Sequence, residues 1–136
     1  MNIHVDSLIS GAERAVGVAA IIDVFRAFTT AAVALANGAT RIVMVRDVEE
    51  ALRLPAAGVG ELCMGEVGGK APAGFDLGNS PFEVSKADLK GRTIVQRTSA
   101  GTQGIVAAMQ ATASMPDRYL QQKRPRAPSL DKRLQM

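Results

Sequence analysis

Asp23 and Arg26 stand three residues apart where an apolar run, 16–22, gives way to an alanine-rich stretch. A carboxylate is a hard oxygen ligand that suits Mg²⁺, and a guanidinium forms paired hydrogen bonds to phosphate or carboxylate oxygens. Thr29 and Thr30 follow closely and supply hydroxyl groups. The pair indicates chemistry on a small anion, while its simplest structural explanation is an ion pair at a strand end.

Two further segments carry polar side chains of the same kind. The glycine-rich stretch 65–81 contains Glu66, Asp76, Asn79 and Ser80, and its glycines let the backbone approach a ligand closely. The second segment is a small polar loop made of Thr98, Ser99, Ala100, Gly101 and Thr102. Free N–H groups at a helix start attract phosphate or carboxylate. Taken singly, a flexible crossover and an ordinary loop would also explain these two segments.

These segments lie between short elements that alternate strand with helix. Gly38 ends a predicted helix, and Asp47 to Glu50 resembles a capping box at the start of another. The predicted strands are 16–22, 41–45, 62–64 and 93–96, and the predicted helices are 27–37, 47–54, a short one capped at 85–88, and 104–113. The alternation predicts an α/β fold with parallel strands. The carboxyl ends of parallel strands share one edge, so we expect the three polar segments to converge there.

The 136-residue chain is one domain by length, and its charge is unevenly distributed. Residues 1–115 contain ten Lys or Arg and eleven Asp or Glu, whereas residues 116–136 contain six and two. From residue 112 onward the chain has three prolines and no apolar period, which predicts a disordered tail. We therefore divide the chain into an α/β domain, 1–111, and a basic tail, 112–136.

The composition argues against several kinds of protein. Asp23 and Arg26 interrupt the longest apolar stretch, and the first residues lack the order of a signal peptide, so we expect neither a membrane span nor a leader. Cys63 is the only cysteine, which excludes an intramolecular disulfide and indicates a cytoplasmic location. His4 is the only histidine and lies near the chain end, so serine and cysteine triads lack their usual base.

Taken together, the motifs resemble those of the 2-phosphosulfolactate phosphatase (ComB) family. The first motifs are Ile22-Asp23-Val24-Phe25-Arg26-Ala27, then Thr29-Thr30, then Ala36-Asn37-Gly38-Ala39. The later ones are Gly65-Glu66 with Gly68-Gly69, Gly74-Phe75-Asp76-Leu77-Gly78-Asn79-Ser80-Pro81, and Thr98-Ser99-Ala100-Gly101-Thr102. Order and spacing agree with the family from Val16 to Ala108, and the combination is specific although no single motif is.

The resemblance implies an Mg²⁺-dependent acid phosphatase of coenzyme M biosynthesis. The implied reaction converts (2R)-2-phospho-3-sulfolactate into (R)-3-sulfolactate and phosphate, so the partner is a small-molecule phosphoester. Relatives in organisms without coenzyme M are expected to act on another phosphoester. The implied fold is a three-layer α/β/α sandwich with a largely parallel or mixed sheet, and a homo-oligomer is one expected assembly.

Within this resemblance, residue chemistry suggests a role for each candidate. Asp23, Glu66 and Asp76 are candidates for holding Mg²⁺ or positioning the attacking water, and Arg26 is the candidate for clamping the phosphoryl oxygens. The expected substrate-binding residues are Thr29, Thr30, Asn79, Ser80, Thr98, Ser99, Gly101 and Thr102. A metal and an arginine would neutralise charge on the transferring group, which is how such sites gain most of their rate.

The basic tail departs from the family, whose members are expected to continue with further α/β structure. We expect an incomplete, amino-terminal version of the family fold, and a frameshifted or truncated gene would explain the composition of the tail. Uncovered strand and helix faces would then favour association. Weak or absent turnover is therefore expected for this chain.

Two other classes of function stay open. A noncatalytic small-anion-binding module would use the same loops without hydrolysis, and phosphate release with and without Mg²⁺ separates it from an enzyme. A nucleic-acid binder would use the basic residues of the tail, Lys123, Arg124, Arg126, Lys132 and Arg133. Nucleic-acid binding is the less favoured alternative, because Tyr119 is the only aromatic residue of the tail and provides little stacking.

Overall fold

The computed structural model of the protein describes residues 2–23 and 25–109. The elements are α1 (Leu8–Glu13), α2 (Ala27–Ala36), β1 (Arg41–Met44), α3 (Val48–Ala56), β2 (Leu62–Gly65), α4 (Pro81–Ser85), β3 (Thr93–Arg97) and α5 (Gly101–Ala108). The predicted basic tail, 112–136, lies outside the described residues, so the division at 111 stays a prediction. None of the described helices is long and apolar enough to cross a membrane.

Three strands form a parallel sheet in the order β1-β3-β2. The register places Val43 of β1 and Cys63 of β2 on either side of Val95 in the central strand β3. Because all three strands run in the same direction, their carboxyl ends meet at one edge of the sheet. The α/β class and the parallel sheet predicted from the sequence are confirmed.

Alternate residues of β3 enter separate apolar clusters on the two faces of the sheet, because successive strand side chains point in opposite directions. Ile94 belongs to a cluster that contains residues of α2 and α4. Val95 belongs to a cluster with Ala51 of α3. Helices therefore lie against both faces of these three strands. A complete three-layer sandwich stays a prediction.

Most predicted elements are present. The predicted helices 27–37 and 47–54 and the predicted strands 41–45, 62–64 and 93–96 all occur, with bounds shifted by one or two residues. The last helix, predicted to begin at residue 104, begins at Gly101 instead. The polar loop that precedes α5 is therefore shorter, and Gly101 and Thr102 belong to the helix itself.

The prediction of a strand at 16–22 is wrong for this structure. The segment is irregular, and Val16 and Val18 are 80% and 79% exposed. A strand needs a neighbour that bonds its backbone N–H and C=O groups. β3 already has a neighbour on each side, and no described strand pairs with 16–22.

The short helix in the second half of the chain lies earlier than predicted. We expected a helix capped at 85–88, whereas α4 ends at Ser85 and is capped by Ser80. The hydroxyl of Ser80 accepts a hydrogen bond from the N–H of Glu83 at 3.3 Å. The carboxylate of Glu83 in turn accepts the N–H of Gly78 at 3.1 Å, which fixes the end of the glycine-rich stretch. The side-chain hydrogen bonds of this cap favour a helix that starts after Ser80 over one capped at 85–88.

Asn37 joins the end of α2 to the end of α4. Its side-chain amide donates hydrogen bonds to the carbonyl of Val84 at 3.0 Å and to that of Ala87 at 2.6 Å. These two bonds fix the position of α2, the helix that begins next to Arg26, against the element that follows the glycine-rich stretch.

Replacing Asn37 by Ala removes both donors to the carbonyls of Val84 and Ala87, which are partly shielded from water. We expect the free energy of unfolding to fall by about 1–3 kcal/mol. Asn37→Asp should cost at least as much, because a carboxylate would face the same two carbonyl oxygens. Chemical denaturation of the purified variants measures both effects. Asn2→Ala, at an exposed position, is the matched control, and equal stability of Asn37→Ala and Asn2→Ala would contradict the prediction.

Candidate active site

Polar residues gather where the neighbouring strands β2 and β3 end. Glu66 directly follows β2, and Thr98 directly follows β3. Residues 98–100 then lead into α5, which begins at Gly101. Ligands bind at the carboxyl ends of strands in open parallel sheets, so this edge is the candidate site.

Glu66 is the most strongly bonded side chain at this edge. One carboxylate oxygen, Oε1, accepts the N–H of Ser99 at 2.6 Å. The other, Oε2, accepts the N–H of Gly69 at 2.8 Å and the hydroxyl of Ser99 at 3.1 Å. The side chain thereby ties the glycine-rich stretch to the loop that follows β3.

Two effects act on the acidity of Glu66. Burial by itself raises the pKa of the carboxyl, but the hydrogen bonds from Ser99 and Gly69 and the positive charge of Arg97 outweigh it, so the pKa is lowered. Arg97 also donates to the backbone carbonyls of Glu66 at 3.0 Å and Arg46 at 3.1 Å. Glu66 is therefore a carboxylate at neutral pH, and its geometry suits it to hold the loops rather than to donate a proton.

Gly65 brings the two loops close enough for this arrangement. Its φ is +144°, and a Cβ at this position would lie 1.8 Å from the carbonyl oxygen of Arg97. That same oxygen accepts the N–H of Glu66 at 2.9 Å. A residue with a side chain would separate the strand ends, so this glycine is required by the close approach.

Thr98 and Thr102 brace the loop from inside. The N–H of Thr98 donates to the hydroxyl of Thr102 at 2.7 Å, and the N–H of Thr102 donates to the hydroxyl of Thr98 at 3.1 Å. Both side chains are buried. The structure shows them bonded to each other, so they shape the loop, and their role in substrate binding stays a prediction.

Asp23 lies against the first residue of α5. A Cβ on Gly101 would be 2.7 Å from Oδ2 of Asp23 and 2.6 Å from Cβ of Ala27. The absence of a side chain at Gly101 therefore lets the carboxylate and the start of α2 approach the start of α5. Asp23 and Glu66 consequently border the same loop, 98–101.

Arg26 precedes the first residue of α2, and its side chain is exposed. Its carbonyl accepts the N–H of Thr30 at 2.8 Å. Thr29 is exposed, whereas the hydroxyl of Thr30 is buried without a hydrogen-bond partner among the described residues. Arg26 therefore stands at the start of α2, whose first residue, Ala27, approaches Gly101, and its side chain is open to solvent.

Gln96 was missed by sequence reasoning. It is fully buried in β3, and its amide donates to the carbonyl of Ala27 at 2.9 Å, which ties the first turn of α2 to the central strand. The available signal was a polar residue directly after the apolar pair Ile94 and Val95 in a predicted strand.

The remaining candidates lie elsewhere or serve the fold. Asp76 lies beside β2. Its carboxylate accepts the N–H of Cys63 at 2.7 Å and so provides a hydrogen-bond partner for a backbone group of this edge strand. Ser80 caps α4. Asn79 is buried, and its side-chain oxygen has no hydrogen-bond partner among the described residues. The glycine-rich stretch therefore contributes Glu66, and not Asp76, to the loop 98–101.

The three carboxylates predicted to hold Mg²⁺ do not form one cluster. Within 2–23 and 25–109, no group of three His, Cys, Asp or Glu side chains is placed to hold a metal ion. One carboxylate oxygen of Asp76 accepts the N–H of Cys63, and the oxygens of Glu66 accept three hydrogen bonds. Mg²⁺ and the catalytic roles of these residues stay predictions.

Comparison with known proteins gives the same family throughout. Residues 3–115 match the family model for 2-phosphosulpholactate phosphatase. A probable 2-phosphosulfolactate phosphatase from Thermotoga petrophila is 48% identical over 87 residues, which are 64% of this chain and 37% of that protein. One from Deinococcus radiodurans is 46% identical over 85 residues, which are 62% of this chain and 35% of that protein.

A third relative, from Parasynechococcus marenigrum, has the same name and is 39% identical over 106 residues, which are 74% of this chain and 44% of that protein. The chain thus spans between 35% and 44% of the lengths of these three relatives. The family match covers most of the 136 residues. The chain therefore belongs to the 2-phosphosulfolactate phosphatase family.

Proposed function

We propose that this chain supplies the phosphoryl-binding edge of an enzyme that hydrolyses 2-phosphosulfolactate to sulfolactate and phosphate. The observation that carries the proposal is the meeting of Asp23, the start of α2 and the loop 98–101 at the first residue of α5. The family supports the choice of a phosphate monoester as substrate, because the relatives are named for that reaction.

The start of α5 offers donors for an anion. Its N-cap, Ala100, provides no side-chain hydrogen bond to the first turn. The first N–H groups of a helix lack partners within the helix, and its dipole favours negative charge there; in α5 the N–H of Thr102 is already bonded to the hydroxyl of Thr98, so the others of the first turn are the candidate donors. The exposed guanidinium of Arg26 adds a full positive charge and two parallel donors for phosphoryl oxygens. Together these groups favour a phosphate group over an uncharged ligand.

Asp23 is the carboxylate best suited to chemistry at this edge. In this proposal it positions the attacking water, while Arg26 neutralises the charge that the phosphoryl oxygens carry. Mg²⁺ is commonly held by one or two carboxylates together with waters and substrate phosphate, so Asp23 is a sufficient protein ligand without Asp76. When bound, the ion would supply further positive charge to the phosphoryl group.

Glu66 has a positioning role in this proposal. It holds Gly69 and Ser99 in place and thereby orients the loop that leads into α5. A cytoplasmic location belongs to the same proposal, because the buried Cys63 is a free thiol. The same proposal includes a place in coenzyme M biosynthesis, because 2-phosphosulfolactate would be the substrate.

Small-anion binding without hydrolysis is the second candidate function. It is favoured by the fact that the chain spans only 37% of the Thermotoga petrophila relative. Both candidates use the same groups of α2 and α5. Phosphate release from 2-phosphosulfolactate, measured with and without Mg²⁺, distinguishes hydrolysis from binding alone.

Replacing Arg26 by Ala should weaken phosphate binding, whether the chain hydrolyses its ligand or only binds it. We expect phosphate release to fall by about 10²–10³-fold, since a charged donor to the reacting group is lost. Where the chain only binds, we expect the affinity for inorganic phosphate, measured by titration calorimetry, to fall about tenfold. Arg53→Ala, at an exposed position on α3, is the matched control. Activity and affinity within a few-fold of the parent would contradict the role of Arg26.

Replacing Glu66 by Gln should remove a pH-dependent part of the stability. The pKa of Glu66 is lowered in the folded chain, so its contribution is fully present above the ordinary glutamate pKa of about 4.3 and is lost as the pH falls through the lower folded value. We expect the parent to be more stable than Glu66→Gln by about 1–3 kcal/mol at neutral pH. The difference should shrink in acid.

Denaturation curves of the two proteins at several pH values measure this effect. Glu61→Gln is the control. The carboxylate of Glu61 also accepts a backbone N–H, that of Thr93 at 2.6 Å, but it is exposed. A stability gap between parent and Glu66→Gln that does not change with pH would show that the carboxylate charge of Glu66 is not what holds the loops.

A further inference from the structure

Gln96 is a polar residue in an otherwise apolar row across the sheet. The register places Met44 of β1 and Met64 of β2 on either side of it, and residues paired in this way point to the same face. Gln96 is fully buried, and its side-chain oxygen has no hydrogen-bond partner among the described residues. Methionine has an unbranched side chain of the same length, so an apolar residue would fit this position. The presence of an amide here therefore needs a reason other than packing.

Stability does not supply that reason. An unpaired acceptor in the interior destabilises a fold. The hydrogen bond that the amide makes goes to the carbonyl of Ala27 at 2.9 Å. That carbonyl belongs to α2, and helix geometry gives it an N–H from four residues further on. Without Gln96 the carbonyl would keep a donor, and an apolar side chain would remove the unpaired oxygen.

The buried face of α2 shows what the amide does. The buried residues of this helix are Ala27, Thr30, Ala31 and Ala34. Burial of small apolar side chains is non-directional, so it does not fix how far α2 is shifted along the sheet. Asn37, directly after α2, anchors the far end by two hydrogen bonds to the segment 84–87. The bond from Gln96 fixes the near end.

The end of α2 that Gln96 holds is the end at the candidate site. Ala27 directly follows Arg26. A Cβ on Gly101 would lie 2.6 Å from the Cβ of Ala27 and 2.7 Å from Oδ2 of Asp23. A shift of α2 along the sheet would therefore move Arg26 relative to the start of α5. Such shifts matter for reacting groups, because a displacement of about 1 Å can cost about 10²-fold in rate.

We propose that Gln96 is a positioning residue. Its amide fixes the start of α2, and with it Arg26, relative to the loop 98–101. For this task the core keeps a polar side chain that an apolar one could replace without loss of stability. The inference rests on the proposed function, because it needs Arg26 to bind the phosphoryl group.

Gln96→Met tests the inference, because its effects on stability and on binding should differ. We expect the midpoint of chemical denaturation to stay the same or to rise, since the unpaired oxygen is removed. The affinity for inorganic phosphate, measured by titration calorimetry, should fall about fivefold, since Arg26 is displaced but not lost. Met44→Leu, at the paired position in β1, is the matched control, because it changes the same row without removing the bond to Ala27.

A double-mutant cycle separates positioning from a general loss of structure. In the Arg26→Ala background, Gln96→Met should cause no further loss of phosphate affinity, because the group that it positions is already gone. Hydrogen exchange gives a readout that needs no ligand. The amides in the first turns of α2 should exchange faster in Gln96→Met than in Met44→Leu.

The outcomes separate this inference from the proposed function. Unchanged phosphate affinity in Gln96→Met, beside a weakened Arg26→Ala, would overturn the inference alone. Additive losses in the double variant, unchanged exchange in α2, or a denaturation midpoint well below that of the parent would also overturn the inference alone. Equal phosphate affinity of Arg26→Ala and the parent would instead overturn the proposed function, and the inference with it.

Discussion

The candidate site depends on one buried carboxylate. Burial disfavours the charged form of Glu66, and the cost is offset because three donors from Gly69 and Ser99 surround the two oxygens. Gly65 permits the close approach of β2 and β3 that brings these donors within reach. Without the carboxylate, the glycine-rich stretch and the loop after β3 would be separate connections. With it, they form one rigid edge from which α5 begins.

The acidic residues near this edge of the sheet differ in the groups that they contact. Glu66 accepts hydrogen bonds from the loops and Asp76 accepts the N–H of Cys63, so both carboxylates hold the fold together, and their predicted catalytic roles stay predictions. Asp23 instead lies against the first residue of α5, next to the start of α2. The start of α2 is held from within by Gln96, which bonds the carbonyl of Ala27. The half of the site anchored by Glu66 and the half that contains Asp23 and Arg26 therefore come from different parts of the chain.

Much of the fold could be predicted because the signals were local. The alternation of apolar runs with glycine and capping residues predicted five elements from 27 to 97 within two residues. The cap at Ser80 was also readable, since Ser80-Pro81-Phe82-Glu83 has the spacing of a capping box. The hydrogen bonds of Asp76 and Gln96 could not be predicted from the sequence, because their backbone partners lie 13 and 69 residues away in the chain. Sequence chemistry identified the residues that carry charge, but only the packing shows which of those charges is already paired.

The one wrong strand bears directly on the chemistry. The pattern at 16–22 is that of a strand, yet no described strand pairs with it, although β1 keeps one unpaired edge. Asp23 directly follows Ile22, which is 83% exposed, so the half of the site that contains Asp23 and Arg26 is attached to an exposed apolar segment. The half anchored by Glu66 has all its contacts within the chain. A cover over 16–22 would therefore act on Asp23 and Arg26 more directly than on Glu66, whose three hydrogen bonds come from Gly69 and Ser99.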